Sequence, residues 1–248
     1  MIQKAIEIWH INACQITIDG TEHVYNKAKN YIYKDVKSPY QRVIDNISTL
    51  LFNGVSVGVR MNVDSYNADD LKDLVYELYS IFGNNPNLYL YCYPIFENEF
   101  FSRTSEERHN VFEKVKEIEK VMDDCDYFTG SGLSYFYRTN HCMVDDGRSI
   151  TISPDGNIGL CEHYVDSDFM GTIDEGNNFN LDVIKSWRVY EKDLPICSDC
   201  PLYPSCIRTS KCEEQSKCYE EYKEWLIRKQ IQGMRLTYYE IMRQNNNQ

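Results

Sequence analysis

Seven of the ten cysteines of this 248-residue chain fall after residue 141, and their spacing is ordered. Cys142 is followed by thirteen residues, then Gly156, four residues and Cys161. After a gap come Cys197, Cys200, Cys206, Cys212 and Cys218, separated by two, five, five and five residues. Five thiols in so short a stretch exceed what a packed core uses. Thiolates carried on successive turns can surround a soft metal or an iron–sulfur cluster, which takes its sulfur ligands from the chain around it. The array therefore restricts the second half of the chain more tightly than any hydrophobic pattern does.

The bulk properties fit that reading. A composition 42% hydrophobic and 13% aromatic is enough for a real core. No apolar run approaches the roughly 20 residues of a membrane span. The N-terminal MIQKAIEIWHINACQ has no basic region followed by an apolar stretch and a small-residue cleavage site, so no secretory signal is expected. That points to the reducing cytoplasm, where clustered cysteines bind metal more often than they form disulfides. A net charge of −12 argues against a nucleic-acid binder, which needs a basic surface to neutralise phosphates.

The first 125 residues alternate between strand and helix patterns. Cys14, Ile16 and Ile18 alternate with Gln15, Thr17 and Asp19 before Gly20 breaks the run. Val55, Val57, Val59, Met61 and Val63 share one face of a second strand, opposite Ser56, Gly58, Arg60 and Asn62. A third spans 87–95, with Leu88, Leu90 and Cys92 opposite Tyr89, Tyr91 and Tyr93. Apolar stripes at helical spacing follow each strand. The first holds Val43, Ile44, Ile47, Leu50 and Leu51, ended by Asn53-Gly54; the second holds Leu71, Leu74, Val75, Leu78 and Ile81, with Asn67 as expected N-cap. The third starts at a capping box, Thr104 with Glu107. Strand–helix repetition implies parallel βαβ units, a piece of a larger α/β barrel. From about residue 126 the helical period stops. Residues 149–152 and 158–161 read as a hairpin through Ser153-Pro154-Asp155-Gly156, and a helix is expected from Tyr219 to about Met242.

The Cys-x13-Gly-x4-Cys spacing and the later cysteine run resemble the SPASM extension of radical S-adenosylmethionine enzymes. The flanking Ile150-Thr151-Ile152-Ser153-Pro154-Asp155-Gly156 and Met170-Gly171-Thr172-Ile173 agree with it. Ile16–Gly20, Tyr25-Asn26-Lys27, and Val59–Val63 followed by Asn67 are similar to the second half of that family's partial TIM-type barrel, most of all in its peptide-modifying members. The resemblance implies an α/β fold in two domains. Residues 1–128 would be the C-terminal portion of a partial (β/α) barrel, and 129–248 a cysteine-rich SPASM domain with a β-hairpin and a C-terminal helix.

It also implies cofactors, [4Fe–4S] clusters and S-adenosylmethionine. Cys142, Cys161 and Cys212 would serve one auxiliary cluster, and Cys197, Cys200, Cys206 and Cys218 a second. Two departures stand out. Five residues separate Cys206 from Cys212 where the family usually has three, and no cysteine just upstream of Cys142 offers a fourth ligand to the first cluster. The family's Cys-x3-Cys-x2-Cys motif, which holds the cofactor-cleaving cluster, is absent, so the chain resembles the C-terminal half of such an enzyme. Barrel chemistry sits at the C-terminal ends of the strands, and Thr17, Asp19, Arg60 and Asn62 are the candidates there for S-adenosylmethionine; a buried polar network closing the rim is the structural alternative. In the complete enzyme a 5′-deoxyadenosyl radical would take a hydrogen from a ribosomally made peptide. The expected partners are that peptide and a second chain completing the barrel, with neither nucleic acid nor membrane. The alternative is a non-catalytic iron–sulfur or zinc subunit that binds a partner or a peptide.

Overall fold

The computed structural model describes residues 2–32, 37–95, 104–127, 144, 150–161, 168–176, 178–187, 200–202 and 220–246. The chain divides into two compact units, residues 1–133 with 235–248, and residues 134–234. Among the described residues no helix is long and apolar enough to cross a membrane.

The first unit is mixed α/β. Helix α1 (Ile2–Glu7) precedes strand β1 (Ala13–Thr17), followed by α2 (Glu22–Lys29), α3 (Pro39–Phe52), β2 (Ser56–Val63), α4 (Ala68–Phe82), β3 (Leu88–Pro94) and α5 (Ser105–Asp124). The three strands form a parallel sheet in the order β1-β2-β3. The helices start where local chemistry satisfies their first N–H groups. Ser38 caps α3 by accepting from the Gln41 N–H at 3.1 Å, with Pro39 in the first turn. The Thr104–Glu107 capping box starts α5 as expected. Gly54 and Gly83, at φ +75° and +57°, reverse the chain after α3 and α4.

Alternation splits the sheet into two registers. Val57, Val59, Met61 and Val63 of β2 are fully buried, and Leu90 and Cys92 of β3 nearly so. Most of the α3, α4 and α5 stripes is buried with them, including Ile47, Leu74 and Ile118, but Ile81, expected in the α4 stripe, is exposed at the end of that helix. A parallel sheet shielded in this way reads as apolar runs on the helix side. Cys14 and Cys92 both stand on the apolar register of their strands, where a small core side chain is expected, and Cys14 in β1 departs from that. Among the described strands β1 is an edge, and Cys14 and Ile16 are only half-buried, whereas Ile18 is completely enclosed.

In the second unit the expected hairpin is present. Strand β4 (Thr151–Ile152) pairs antiparallel with β5 (Asn157–Gly159), and β5 with β6 (Gly171–Thr172). Gly156 turns the hairpin at φ +81°, its N–H donating to the Ser153 carbonyl at 2.9 Å. A short 3-10 turn (Ile173–Glu175) and α6 (Leu181–Trp187) follow. Val144, Ile158, Leu160, Met170 and Trp187 form the small core of this unit. Helix α7 (Glu220–Asn246) occupies the segment read as the last helix.

Candidate site at the C-terminal ends of the parallel strands

The sheet register opposite the helix-facing one is polar and aromatic, and it is layered. Gln15, Gly58 and Tyr89 are neighbours across the three strands; Thr17, Arg60 and Tyr91 form the next row; Asn62 and Tyr93 form the last. Period-2 alternation alone sends these residues to one face. Tyr89 lies across Gly58, where an added Cβ would stand 2.4 Å from the ring's Cζ. Its ring stacks on Tyr91 at 6.4 Å between centroids, 17° from parallel. The Tyr91 hydroxyl donates to the Gln15 side-chain carbonyl. Burial pushes the Tyr91 phenol above its ordinary range, partly opposed by the positive charge of Arg60.

Arg60 is held from two sides. Its guanidinium sits 4.5 Å from the Tyr93 ring centroid, and its Nε donates to Asn62 Oδ1 at 2.9 Å. It makes no ion pair with any carboxylate of the described residues. Asp19, just past β1, accepts the Asn62 backbone N–H at 3.1 Å with one oxygen and the Lys29 ammonium at 3.0 Å with the other. The four predicted residues Thr17, Asp19, Arg60 and Asn62 thus meet at one end of the sheet, the last three directly bonded in series.

Three residues not anticipated in this role hold the rim. Asn67 does not cap α4 with its side chain. Its amide instead donates to the Asn62 carbonyl at 2.8 Å and the Asp19 carbonyl at 3.2 Å, while its oxygen accepts the Asp64 N–H at 3.0 Å. Asp70, expected only to complement the start of α4, accepts both the N–H and the hydroxyl of Thr21 at 2.7 Å. Gly20 makes that approach feasible, since a Cβ there would fall 2.4 Å from the Asp70 carboxylate. Asp19 lies past β1 and Lys29 at the end of α2, so no period within one element pairs them and only the folded turn reveals the contact.

Of the seven cysteines in the array, Cys161 and Cys200 are described and both are half-buried. Cys161 follows the hairpin and packs against the Ile158–Trp187 core. Cys142, Cys197, Cys206, Cys212 and Cys218 lie outside the described residues. Among the described residues no three His, Cys, Asp or Glu side chains gather as a metal site. The remaining thiols behave as packing groups: burial raises Cys14, and burial with the Asp124 and Asp126 carboxylates raises Cys125.

No protein-family model, curated protein or solved structure matches the chain.

Proposed function

We propose that this chain carries the later part of a radical S-adenosylmethionine barrel and a SPASM-type domain with auxiliary [4Fe–4S] clusters, and that in its complete form it modifies a ribosomally made peptide. The observation that carries this reading is the chain reversal inside the cysteine array. Gly156 stands in the left-handed region at φ +81°, with Ile173 3.0 Å from where its Cβ would be. A glycine is therefore required at the position where the Cys142-x13-Gly-x4-Cys161 spacing has one. The donor set also suits the clusters, which take thiolates.

The polar rim supports the cofactor half of the reading. Arg60 has its stem fixed by Tyr93 and Asn62, which leaves the outer edge of its guanidinium for a carboxylate. Thr17 and Asn62 add a hydroxyl and an amide that suit a ribose. These are the groups the amino-acid and sugar parts of S-adenosylmethionine require. The rim binds and orients in this scheme, while the reducing chemistry belongs to the clusters when bound.

The test is the iron, acid-labile sulfide and zinc content of the chain purified without oxygen. About eight irons and eight sulfides per chain, two [4Fe–4S] clusters, is the expected result. About four would mean that the longer Cys206–Cys212 interval leaves one cluster. Zinc without sulfide would overturn the redox reading and leave a structural metal domain.

A further inference from the structure

We propose that the outer edge of β1 is an interaction surface for a second copy of this chain. Two β1 strands pair antiparallel about a two-fold axis at Gln15, joining two three-stranded sheets into one. The inference stands on the strand alone and depends on neither bound iron nor a cofactor. A strand extending the barrel on this side would compete for the same edge.

Hydrogen bonding within the sheet decides which groups face outward. The Asn12 carbonyl accepts from the Ser56 N–H at 2.9 Å, and the Ile18 N–H donates to the Arg60 carbonyl at 3.0 Å. Backbone groups alternate sides along a strand, so Asn12, Cys14, Ile16 and Ile18 face β2. Ala13, Gln15 and Thr17 therefore turn their N–H and C=O groups outward. Among the described residues nothing pairs with these groups, and Ala13 and Gln15 are exposed. The other edges are protected. By the same alternation β3 turns Leu88 and Pro94 outward; Pro94 has no N–H, and the Leu88 N–H is spent on the Asn85 carbonyl at 2.9 Å. The outer strands of the second unit's sheet, β4 and β6, are two residues long. Strand β1 has no proline and no charged side chain to discourage a partner, so its bare edge is a template for another strand.

Self-complementarity selects the second copy. Gln15 is the middle residue of Ala13–Thr17, so centring the axis on it pairs the whole strand. Ala13 then faces Thr17 of the second copy, and Gln15 faces its own counterpart. All the outward residues meet as hydrogen-bonded pairs that exchange both N–H···O bonds. The same register lays Cys14 against Ile16 of the second copy on the helix-facing side. Both are only half-buried in one chain, whereas Val57 and Val59, flanked by strands on either side, are fully enclosed. No acid opposes an acid: β1 is uncharged, and Asp19 would lie beside Ile11 of the second copy. The net charge of −12 is therefore not concentrated at the contact.

The experiment is sedimentation velocity of the full chain, with a thiol reductant, from about 1 to 100 µM. A reversible monomer–dimer equilibrium with a Kd of about 10 µM is expected, as suits a small interface. Ala13→Pro removes an outward N–H without touching the bonds to β2, and should weaken the dimer at least about tenfold. Gln15→Lys and Gln15→Glu each set like charges together at the axis and should weaken it by at least about as much. An equal mixture of those two variants should dimerise again, because opposite charges then meet. Phe52→Ser, which removes a 91% exposed ring at the end of α3, should leave the dimer within about twofold. A monomer throughout the concentration range would overturn the proposal. So would a dimer that survives Ala13→Pro, equal weakening by Phe52→Ser, or a mixture that stays monomeric while circular dichroism shows both variants folded.

Discussion

The carboxylate of Asp19 accepts the backbone N–H of Asn62 at 3.1 Å, so a side chain just beyond one strand holds the end of its neighbour. The same carboxylate takes the Lys29 ammonium at 3.0 Å. Both partners of that ion pair are more than two-thirds buried, at 17% and 26% side-chain exposure, which limits screening by water. Asp19→Ala strands a cation and a backbone donor together, whereas Lys29→Met removes only the ion pair. In urea denaturation Asp19→Ala should cost about 1–3 kcal/mol and Lys29→Met distinctly less. Equal losses would show that the Asn62 contact contributes nothing.

Gly58 and Tyr89 form a second coupled pair. A methyl group at Gly58 would stand 2.4 Å from the Tyr89 ring, so Gly58→Ala must displace the ring and its stack on Tyr91. Removing the ring first should relieve the clash. A double-mutant cycle of Gly58→Ala with Tyr89→Ala is expected to give a coupling of about 1 kcal/mol or more. Additive losses would mean that the ring does not lie across β2.

Asn67 separates two roles for one residue. As a side-chain N-cap it would tolerate serine, which caps as well as asparagine. As a bridge it needs its amide, because it donates to both the Asn62 and Asp19 carbonyls. Asn67→Ser and Asn67→Ala should therefore lose similar stability, about 1–3 kcal/mol each. Full rescue by serine would restore the capping role.

These contacts also show what could be read from the chain and what could not. The β2 alternation, the α4 stripe and the Thr104–Glu107 box are local patterns, so the three strands and helices α3, α4 and α5 stand where they were expected, whereas the short helices α1 and α2 carry no apolar stripe that announces them. The convergence of Arg60 with Asn62 follows from period 2 within one strand. Asp19 with Asn62, and Thr21 with Asp70, are 43 and 49 residues apart, and only the parallel register of β1 on β2 brings them together. Asn67 was legible as a helix boundary but not as a bridge, because capping preference is local and its true partners are not. The half-burial of Cys14 depends on which strand lies at the edge, and alternation carries no information on strand order. For the array the spacing is legible, while the arrangement of five of its thiols lies outside the described residues.

Tyr127 ties stability to alkaline pH. It is 2% exposed and meets Tyr79 edge-on at 5.9 Å, and its buried hydroxyl has no hydrogen-bond partner among the described residues. Burial, with Cys125 and Tyr79 adding to it, holds the phenol well above its ordinary value of about 10. The folded state thus keeps this proton longer than the unfolded one. Its contribution is fully present below about pH 10 and is lost as pH rises further. Tyr127→Phe removes an unsatisfied buried group. It should leave stability at pH 7 unchanged or raise it by about 1 kcal/mol, and should flatten the decline above pH 10. A marked loss at pH 7 would reveal a partner for the hydroxyl.

The two described cysteines of the array separate its two expected clusters. In the resemblance-based ligand sets, Cys161 belongs with Cys142 and Cys212, and Cys200 with Cys197, Cys206 and Cys218. Cys161→Ser should then remove about four irons and leave the rest, and Cys200→Ser should remove a different four. The electron paramagnetic resonance spectrum of the reduced chain should lose one component in the first variant and the other in the second. Cys92 provides the control: it is 2% exposed on the helix-facing register of β3, so Cys92→Ala should lower thermal stability while leaving iron content and spectrum unchanged. If both serine variants lost the same component, the interleaved assignment would fail even with the full complement of iron present. A single shared cluster would then have to draw on both the hairpin thiol and the Cys197–Cys200 pair.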